Sequence, residues 1–221
     1  MMSIALHIQD IRNQLPENVG LIAVSKYQPV EAIEEAYNAG QRIFGENKAQ
    51  ECSEKYPALP HDIQWHFIGH LQTNKVKVIA PFITLIHSID SIRILTEVNK
   101  EALKNQRIID CLLQFHIATE ETKFGLSWEE AQELLENPAL TELKNVRITG
   151  VMGMASFVDD MDLVRKEFKT LKSYFDQLKS NYFSQSSWFR EISMGMTHDY
   201  KIAIEEGSTL VRIGTAIFGD R

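Results

Sequence analysis

The sequence predicts an α/β protein, a single (β/α)8 TIM-type barrel over residues 1–221, and three observations carry that expectation. Strand-like runs alternate with helix-like ones along the whole chain, and strict alternation implies a parallel sheet. The alternating units number about eight, enough to close the sheet on itself. The length of 221 residues falls at the compact end of that fold's range. An open, doubly wound sheet is the alternative, but no Gly-x-Gly-x-x-Gly follows an early strand to support it.

The elements follow in order. Met1 to Leu15 carries His7, Asp10 and Arg12 at helical spacing and lacks the apolar core of a signal peptide. Leu21-Ile22-Ala23-Val24-Ser25-Lys26 is too short for a helix and reads as a buried strand over 20–25. Pro29 marks the first turn of an amphipathic helix over 30–39, which should stop at Gly40. Strands over 42–45, 63–68 and 83–88 lead into helices over 46–56, 71–80 and 91–104. The strand over 109–117 precedes a helix over 127–136, where Ser127-Trp128-Glu129-Glu130 has capping-box spacing. After the strand over 146–153, Val164, Phe168, Leu171, Phe175, Leu178 and Tyr182 form one apolar stripe of a helix over 160–182. A strand over 190–194 leads to a helix over 198–206 that should stop at Gly207, and a strand over 209–213 completes the set.

Composition narrows the function classes. A hydrophobic fraction of 44% with 24% charged residues fits a globular chain, not a disordered one. The net charge of −7 argues against a broad nucleic-acid surface. Cys52 and Cys111 lack CxxC spacing, so neither a disulfide scaffold nor a zinc knuckle is expected. The least polar stretch, Val78 to Ile86, is broken by Pro81 and Thr84 and is far short of a membrane span. The expectation is a cytoplasmic monomer with no membrane or nucleic-acid partner.

A barrel gathers the C-terminal ends of its strands on one face, where chemistry usually resides. Lys26 lies there after the first strand, with apolar chain behind it. Desolvation favours its neutral amine, the form that adds to an aldehyde; the alternative is a lysine that points into water. Ser193-Met194-Gly195-Met196-Thr197 and Gly214-Thr215 follow the seventh and eighth strands, where barrels often bind phosphate. Thr197 is placed to cap a helix beginning near His198, with a hydroxyl that can also donate to an anion. Period-two alternation puts Leu210, Arg212 and Gly214 on one face. Arg212 needs a partner there, either a carboxylate such as Glu191 or a ring nitrogen of a ligand. His66 and His70 are four apart but straddle a strand end, and no Cys/His/Asp cluster completes a metal site. Trp65 and Phe67 read as barrel packing.

An imine-forming lysine, an anion cradle and a ring-facing arginine together suit pyridoxal 5′-phosphate (PLP). The motifs Ala-Val-Ser-Lys (23–26), Phe-Gly-Glu-Asn (44–47), Trp-His-Phe-Ile-Gly-His-Leu-Gln (65–72), His-Ser-Ile-Asp-Ser (87–91), Ser-Met-Gly-Met-Thr-x-Asp (193–199) and Gly-Ser-Thr-x-Val-Arg-Ile-Gly-Thr-Ala-Ile-Phe-Gly (207–219) carry a resemblance. In order and over nearly the whole chain, the sequence resembles the YggS family of pyridoxal phosphate homeostasis proteins. The resemblance implies a barrel similar to the N-terminal domain of alanine racemase. It implies PLP as a Schiff base on Lys26, Arg212 near the pyridine nitrogen, and Asn47 as a cofactor contact. Ser193, Gly195, Met196, Thr197, Gly214 and Thr215 match the family's phosphate-loop positions. It further implies intracellular PLP homeostasis as carrier or reservoir, with no established catalytic reaction. PLP, other B6 vitamers and PLP-dependent apo-enzymes would be the partners. Two positions depart from the pattern: Lys48 replaces a bulkier residue after Gly-Glu-Asn, and Phe115-His116 stands where Val-Asn is common.

Two other classes compete. A PLP-dependent amino-acid racemase would need a second acid/base on the opposite face of its substrate. Alanine racemase draws its tyrosine from an additional domain, whereas this sequence ends at Arg221 directly after the eighth unit. A PLP-free barrel would instead use Lys26 as a counter-charge to some other phosphorylated metabolite.

Overall fold

The computed structural model describes residues 3–119 and 124–219. Eight strands form one closed, all-parallel barrel in sequence order. They are β1 (Gly20–Val24), β2 (Ile43–Glu46), β3 (Gln64–Phe67), β4 (Leu85–Ile89), β5 (Ile109–Phe115), β6 (Val146–Gly153), β7 (Glu191–Ser193) and β8 (Leu210–Ile213). The barrel closes where β8 pairs with β1, with Arg212 opposite Ile22. The predicted barrel is therefore correct and the open sheet is not.

Around it run α1 (Ile4–Arg12), α2 (Val30–Asn38), α3 (Ala49–Lys55), α4 (Thr73–Ile79), α5 (Ile92–Lys104), α6 (Trp128–Glu136), α7 (Met161–Asn181), α8 (Tyr200–Glu205) and α9 (Thr215–Phe218). Local chemistry explains their ends. Ser127 and Glu130 form the expected capping box of α6. Gly40 and Gly207 lie just beyond α2 and α8 at φ +88° and +96°, where a side chain would be strained. Pro29 proves to be the N-cap of α2, one position before its first turn. Along α7, Val164, Phe168, Leu171 and Leu178 are buried as the stripe predicts. α1 adds Ile8 and Ile11 to the core and is tied to α9 by the His7 Nδ1–H, which donates to the Ile217 carbonyl (2.9 Å).

Period-two alternation divides the buried residues between two regions. Trp65, Phe67 and Phe44 belong to the main core, between sheet and helices, so the packing role expected for Trp65 and Phe67 holds. Ile22, Leu85, Leu112, Met152 and Leu210 form a second cluster inside the barrel. The barrel interior also holds polar side chains, and these lead to the C-terminal mouth. Among the described residues, no helix is long and apolar enough to cross a membrane.

Candidate functional site

β1 ends at Val24, and Ser25, Lys26 and Tyr27 turn the chain toward α2. Lys26 is partly buried and lines a cavity of about 420 Å³ at the C-terminal mouth. Its Nζ has no hydrogen-bond or ion-pair partner among the described residues. Asn47, Met196, Thr197, Arg212, Gly214 and Thr215 line the same cavity. Of the expected site residues only Ser193 and Gly195 stand back from it.

Both have a structural reason to do so. Ser193 is fully buried beneath Arg212 and accepts a hydrogen bond from its Nη1 (2.5 Å). Gly195 sits at φ +94°, and a Cβ there would lie 2.6 Å from the Ala203 side chain. The glycine thus lets the loop after β7 pack against α8.

Arg212 is 4% exposed and donates its second bond from Nη2 to the Gly153 carbonyl (3.0 Å). Glu191, the carboxylate considered for it, is not its partner. It lies at the opposite end of the short strand β7, where it accepts from the Thr209 hydroxyl (2.8 Å) and from Arg190 (3.1 Å). Burial draws the Arg212 guanidinium down to about 10, a shift that Asp199 opposes, so it remains a cation at neutral pH.

Behind Arg212 runs a buried chain. The Ser193 hydroxyl meets His87 Nδ1 (3.0 Å), and His87 Nε2 meets His66 Nδ1 (3.0 Å). Arginine only donates, so Ser193 Oγ accepts from it, and with a second lone pair and its own proton the hydroxyl suits either neutral tautomer of His87. Burial holds both imidazoles well below the usual range, His66 at about 3. His66 is therefore an interior residue, while His70 lines the mouth and faces Asp90 (3.3 Å). The two do not form a pair, and no metal-binding group of three His, Cys, Asp or Glu occurs among the described residues.

The loop after β7 corrects one expectation. Thr197 does not cap α8, because the Asp199 carboxylate reaches back to the Met196 N–H (2.6 Å) and adds a turn before the helix starts. The N–H groups of Thr197 and His198 are left with no acceptor among the described residues. After β8, Gly214 leads straight into α9, whose first N–H groups lack intrahelical acceptors as at any helix start. Two sets of backbone donors and two threonines therefore border one cavity.

Several lining residues carried no recognisable sequence signal. Gln114 supplies the polar group on β5, one residue before the Phe115-His116 departure. Its Nε2 donates to the Phe124 carbonyl (3.0 Å), and Phe124 stacks on His70 at 4.2 Å. Met154 and Phe157 enter from the loop after β6. The Lys48 departure has a local partner, since its Nζ lies 4.6 Å over the Tyr27 ring. Asn47 is fixed by Gly69, where any Cβ would stand 2.3 Å from the Asn47 carbonyl oxygen. The buried Asn47 Oδ1 has no hydrogen-bond partner among the described residues, and a buried acceptor of this kind is met by a water or by a ligand donor. A larger cavity of about 560 Å³ opens at the other end of the barrel, but its charges are already paired, Asp110 with Arg147 and Glu191 with Arg190.

The chain matches the protein family described as alanine racemase, N-terminal domain, over residues 2–221. It is 43% identical over 202 residues to the pyridoxal phosphate homeostasis protein of Aquifex aeolicus (strain VF5), covering 91% of this chain and 86% of that one. The solved structure of PipY from Synechococcus elongatus PCC7942 with PLP bound has a TM-score of 0.87 and 35% identity, covering 98% of this chain and 100% of that one. An alanine racemase of Clostridium difficile 630 shares the fold at 15% identity and a TM-score of 0.79, over 99% of this chain and 60% of the racemase.

Proposed function

Because this chain belongs to the pyridoxal phosphate homeostasis protein family, we propose that it holds PLP as a Schiff base on Lys26 and acts in intracellular PLP homeostasis as a carrier or reservoir. The observation that carries this reading is the convergence of an unpartnered lysine, a buried arginine and free backbone donors on one cavity. The orphaned Asn47 Oδ1 supports the fit of a group that brings its own hydrogen-bond donor.

Each residue has a role in this reading. The Lys26 nitrogen would add to the aldehyde carbon through its lone pair; two protons would leave with the carbonyl oxygen as water, and C=N would replace C=O. The N–H groups of Thr197 and His198, those at the start of α9, and the Thr215 hydroxyl hold the phosphate. Arg212, oriented by Ser193, donates to the pyridine nitrogen. Bound PLP supplies an electron-withdrawing ring, and a cationic donor at its nitrogen leaves that ring unprotonated and a weaker electron sink. This favours storage and release over racemisation, the competing activity. It also fits a single cytoplasmic barrel domain that serves PLP-dependent apo-enzymes.

The test is a spectrum of the purified protein with and without PLP, followed by borohydride reduction and peptide mapping. The label should fall on Lys26, and Lys26→Ala should lose it while keeping the fold and non-covalent binding. A reducible adduct retained on that peptide in Lys26→Ala refutes the lysine assignment. Turnover of an amino acid at about 1–10³ per second would replace the homeostasis reading with an enzymatic one.

A further inference from the structure

Lys26 stands between two residues whose backbones are tied down by side chains of β2 and α3. Ser25 is fully buried, and its hydroxyl donates to Glu46 Oε1 (2.7 Å). Its carbonyl accepts from the Gln28 N–H (3.0 Å) and from Lys55 Nζ (2.8 Å). On the other side, the Tyr27 N–H donates to the Glu51 carboxylate. Tyr27 is at φ +63°, a left-handed conformation that a tyrosine adopts only where its surroundings enforce it.

One cation joins these contacts. Lys55 Nζ bonds Ser25 O, Glu46 Oε1 (2.8 Å) and Glu51 Oε1 (2.7 Å), which uses all three donors of an ammonium group. Lys55 is 6% exposed and Glu46 is fully buried. Stability alone is a poor reason for such a group, since apolar residues of similar volume commonly do as well or better than a buried ion pair. What it provides is geometry, because its bonds converge on the two peptide units that flank Lys26.

We propose that Glu46, Lys55 and Glu51 are positioning residues that clasp the Ser25–Tyr27 turn and aim Lys26 into the cofactor cavity. The proposal rests on the assignment of Lys26 as the PLP-linking residue. None of the three side chains lines the cavity, so the clasp acts through the turn. Its loss should slow attack by Lys26 while leaving the phosphate and ring contacts in place, since reaction at a held carbonyl depends steeply on alignment.

Four apoproteins test this: wild type, Glu51→Leu, Glu51→Gln, and the double variant Glu46→Gln/Lys55→Met, which removes both buried charges together. Each is mixed with PLP, quenched with borohydride at intervals, and assayed for label on the Lys26 peptide. Binding of pyridoxine 5′-phosphate, an alcohol in place of the aldehyde, is measured in parallel by calorimetry. Glu51→Leu and the double variant should label Lys26 at least about tenfold more slowly, with pyridoxine 5′-phosphate affinity little changed. Glu51→Gln keeps an oxygen for the Tyr27 N–H and should restore most of the rate. Labelling of Glu51→Leu at the wild-type rate overturns the clasp, as does a loss of pyridoxine 5′-phosphate binding in proportion to the slowed labelling. Should the double variant not fold, Glu51→Leu decides alone. A wild type that binds pyridoxine 5′-phosphate but never labels Lys26 refutes the Schiff-base reading instead. Hydrogen exchange of the Tyr27 amide then judges the clasp, and exchange no faster in Glu51→Leu than in wild type overturns it.

Discussion

Lowering the pH from about 8 to about 5 should destabilise the fold through the histidines behind Arg212. His66 is held at about 3 against an ordinary value of 6.5, because burial disfavours the imidazolium. Between those two values the unfolded chain takes up a proton at this residue and the folded chain does not. Stability conferred by the neutral state is therefore complete above pH 6.5 and is lost as the pH falls toward 3. Each pH unit in that window costs about 1.4 kcal/mol, so His66 alone should account for a loss of about 2 kcal/mol at pH 5. His87 is shifted in the same direction by burial and by the proximity of His66 and Arg212, and it adds to the loss. Urea unfolding of wild type and His66→Gln at both pH values reads the effect of His66 together with its influence on His87, since titrating groups not coupled to His66 cancel in the difference between the proteins. The wild type should lose about 2 kcal/mol more than the variant. Equal losses in the two proteins would show that His66 titrates as freely in the fold as in the unfolded chain, and would refute the buried neutral chain.

Pyridoxal without its phosphate should bind far more weakly than PLP, and Thr215→Val should narrow the gap in a calorimetric titration; equal wild-type affinities would remove the anion site. Arg212→Glu should favour a protonated pyridine nitrogen, shift the cofactor absorbance and speed α-hydrogen exchange of added amino acids with deuterated solvent. Normal PLP binding with unchanged spectrum and exchange would end the ring-facing role of Arg212. Gly69→Ala must move the Asn47 backbone, because its Cβ would stand 2.3 Å from the Asn47 carbonyl oxygen. It should cost about 1–3 kcal/mol by urea unfolding and weaken PLP binding; a variant unchanged in both would mean that Asn47 is not fixed by this contact.

The barrel was legible because its signal is local and repeated: short apolar runs, amphipathic stretches, and glycines at helix ends. Lys26 and Arg212 were legible as charges out of place in apolar runs, and their convergence on one mouth follows from the fold. What escaped depends on contacts between distant segments. α9 is only four residues long and has no room to show a helical period. The start of α8 was misplaced because nothing local distinguishes a capping Thr197 from an Asp199 that reaches back to Met196. The Arg212–Ser193 bond spans 19 positions and the His87–Ser193 bond 106, so neither contact shows in the local sequence, which offers a carboxylate such as Glu191 or a ligand ring nitrogen. Gln114, Met154 and Phe157 reach the cavity only once the barrel has closed and the loop after β6 has folded over its mouth.

Among the described residues, Arg212 has no bonded carboxylate. Its described hydrogen-bond acceptors are Ser193 Oγ and the Gly153 carbonyl, both uncharged. Asp199 raises its proton affinity only from a distance and spends its own carboxylate on the Met196 N–H. The two imidazoles behind Ser193 are neutral, so no compensating anion stands in the chain that orients the guanidinium. A ligand atom facing Arg212 therefore meets a cation whose charge is not neutralised by direct pairing, in a buried setting where such charge is weakly screened. A protonated pyridine nitrogen would be repelled there, whereas a neutral one accepts a hydrogen bond. With Arg212 at the pyridine nitrogen, as proposed, residues on β4, β7 and β8 acting together would favour the ring form least able to stabilise a carbanion. On the proposed reading, exchange of the imine at the cofactor's aldehyde carbon would need no such stabilisation, so capture and release of PLP would stay open while chemistry at an amino-acid α-carbon is held back.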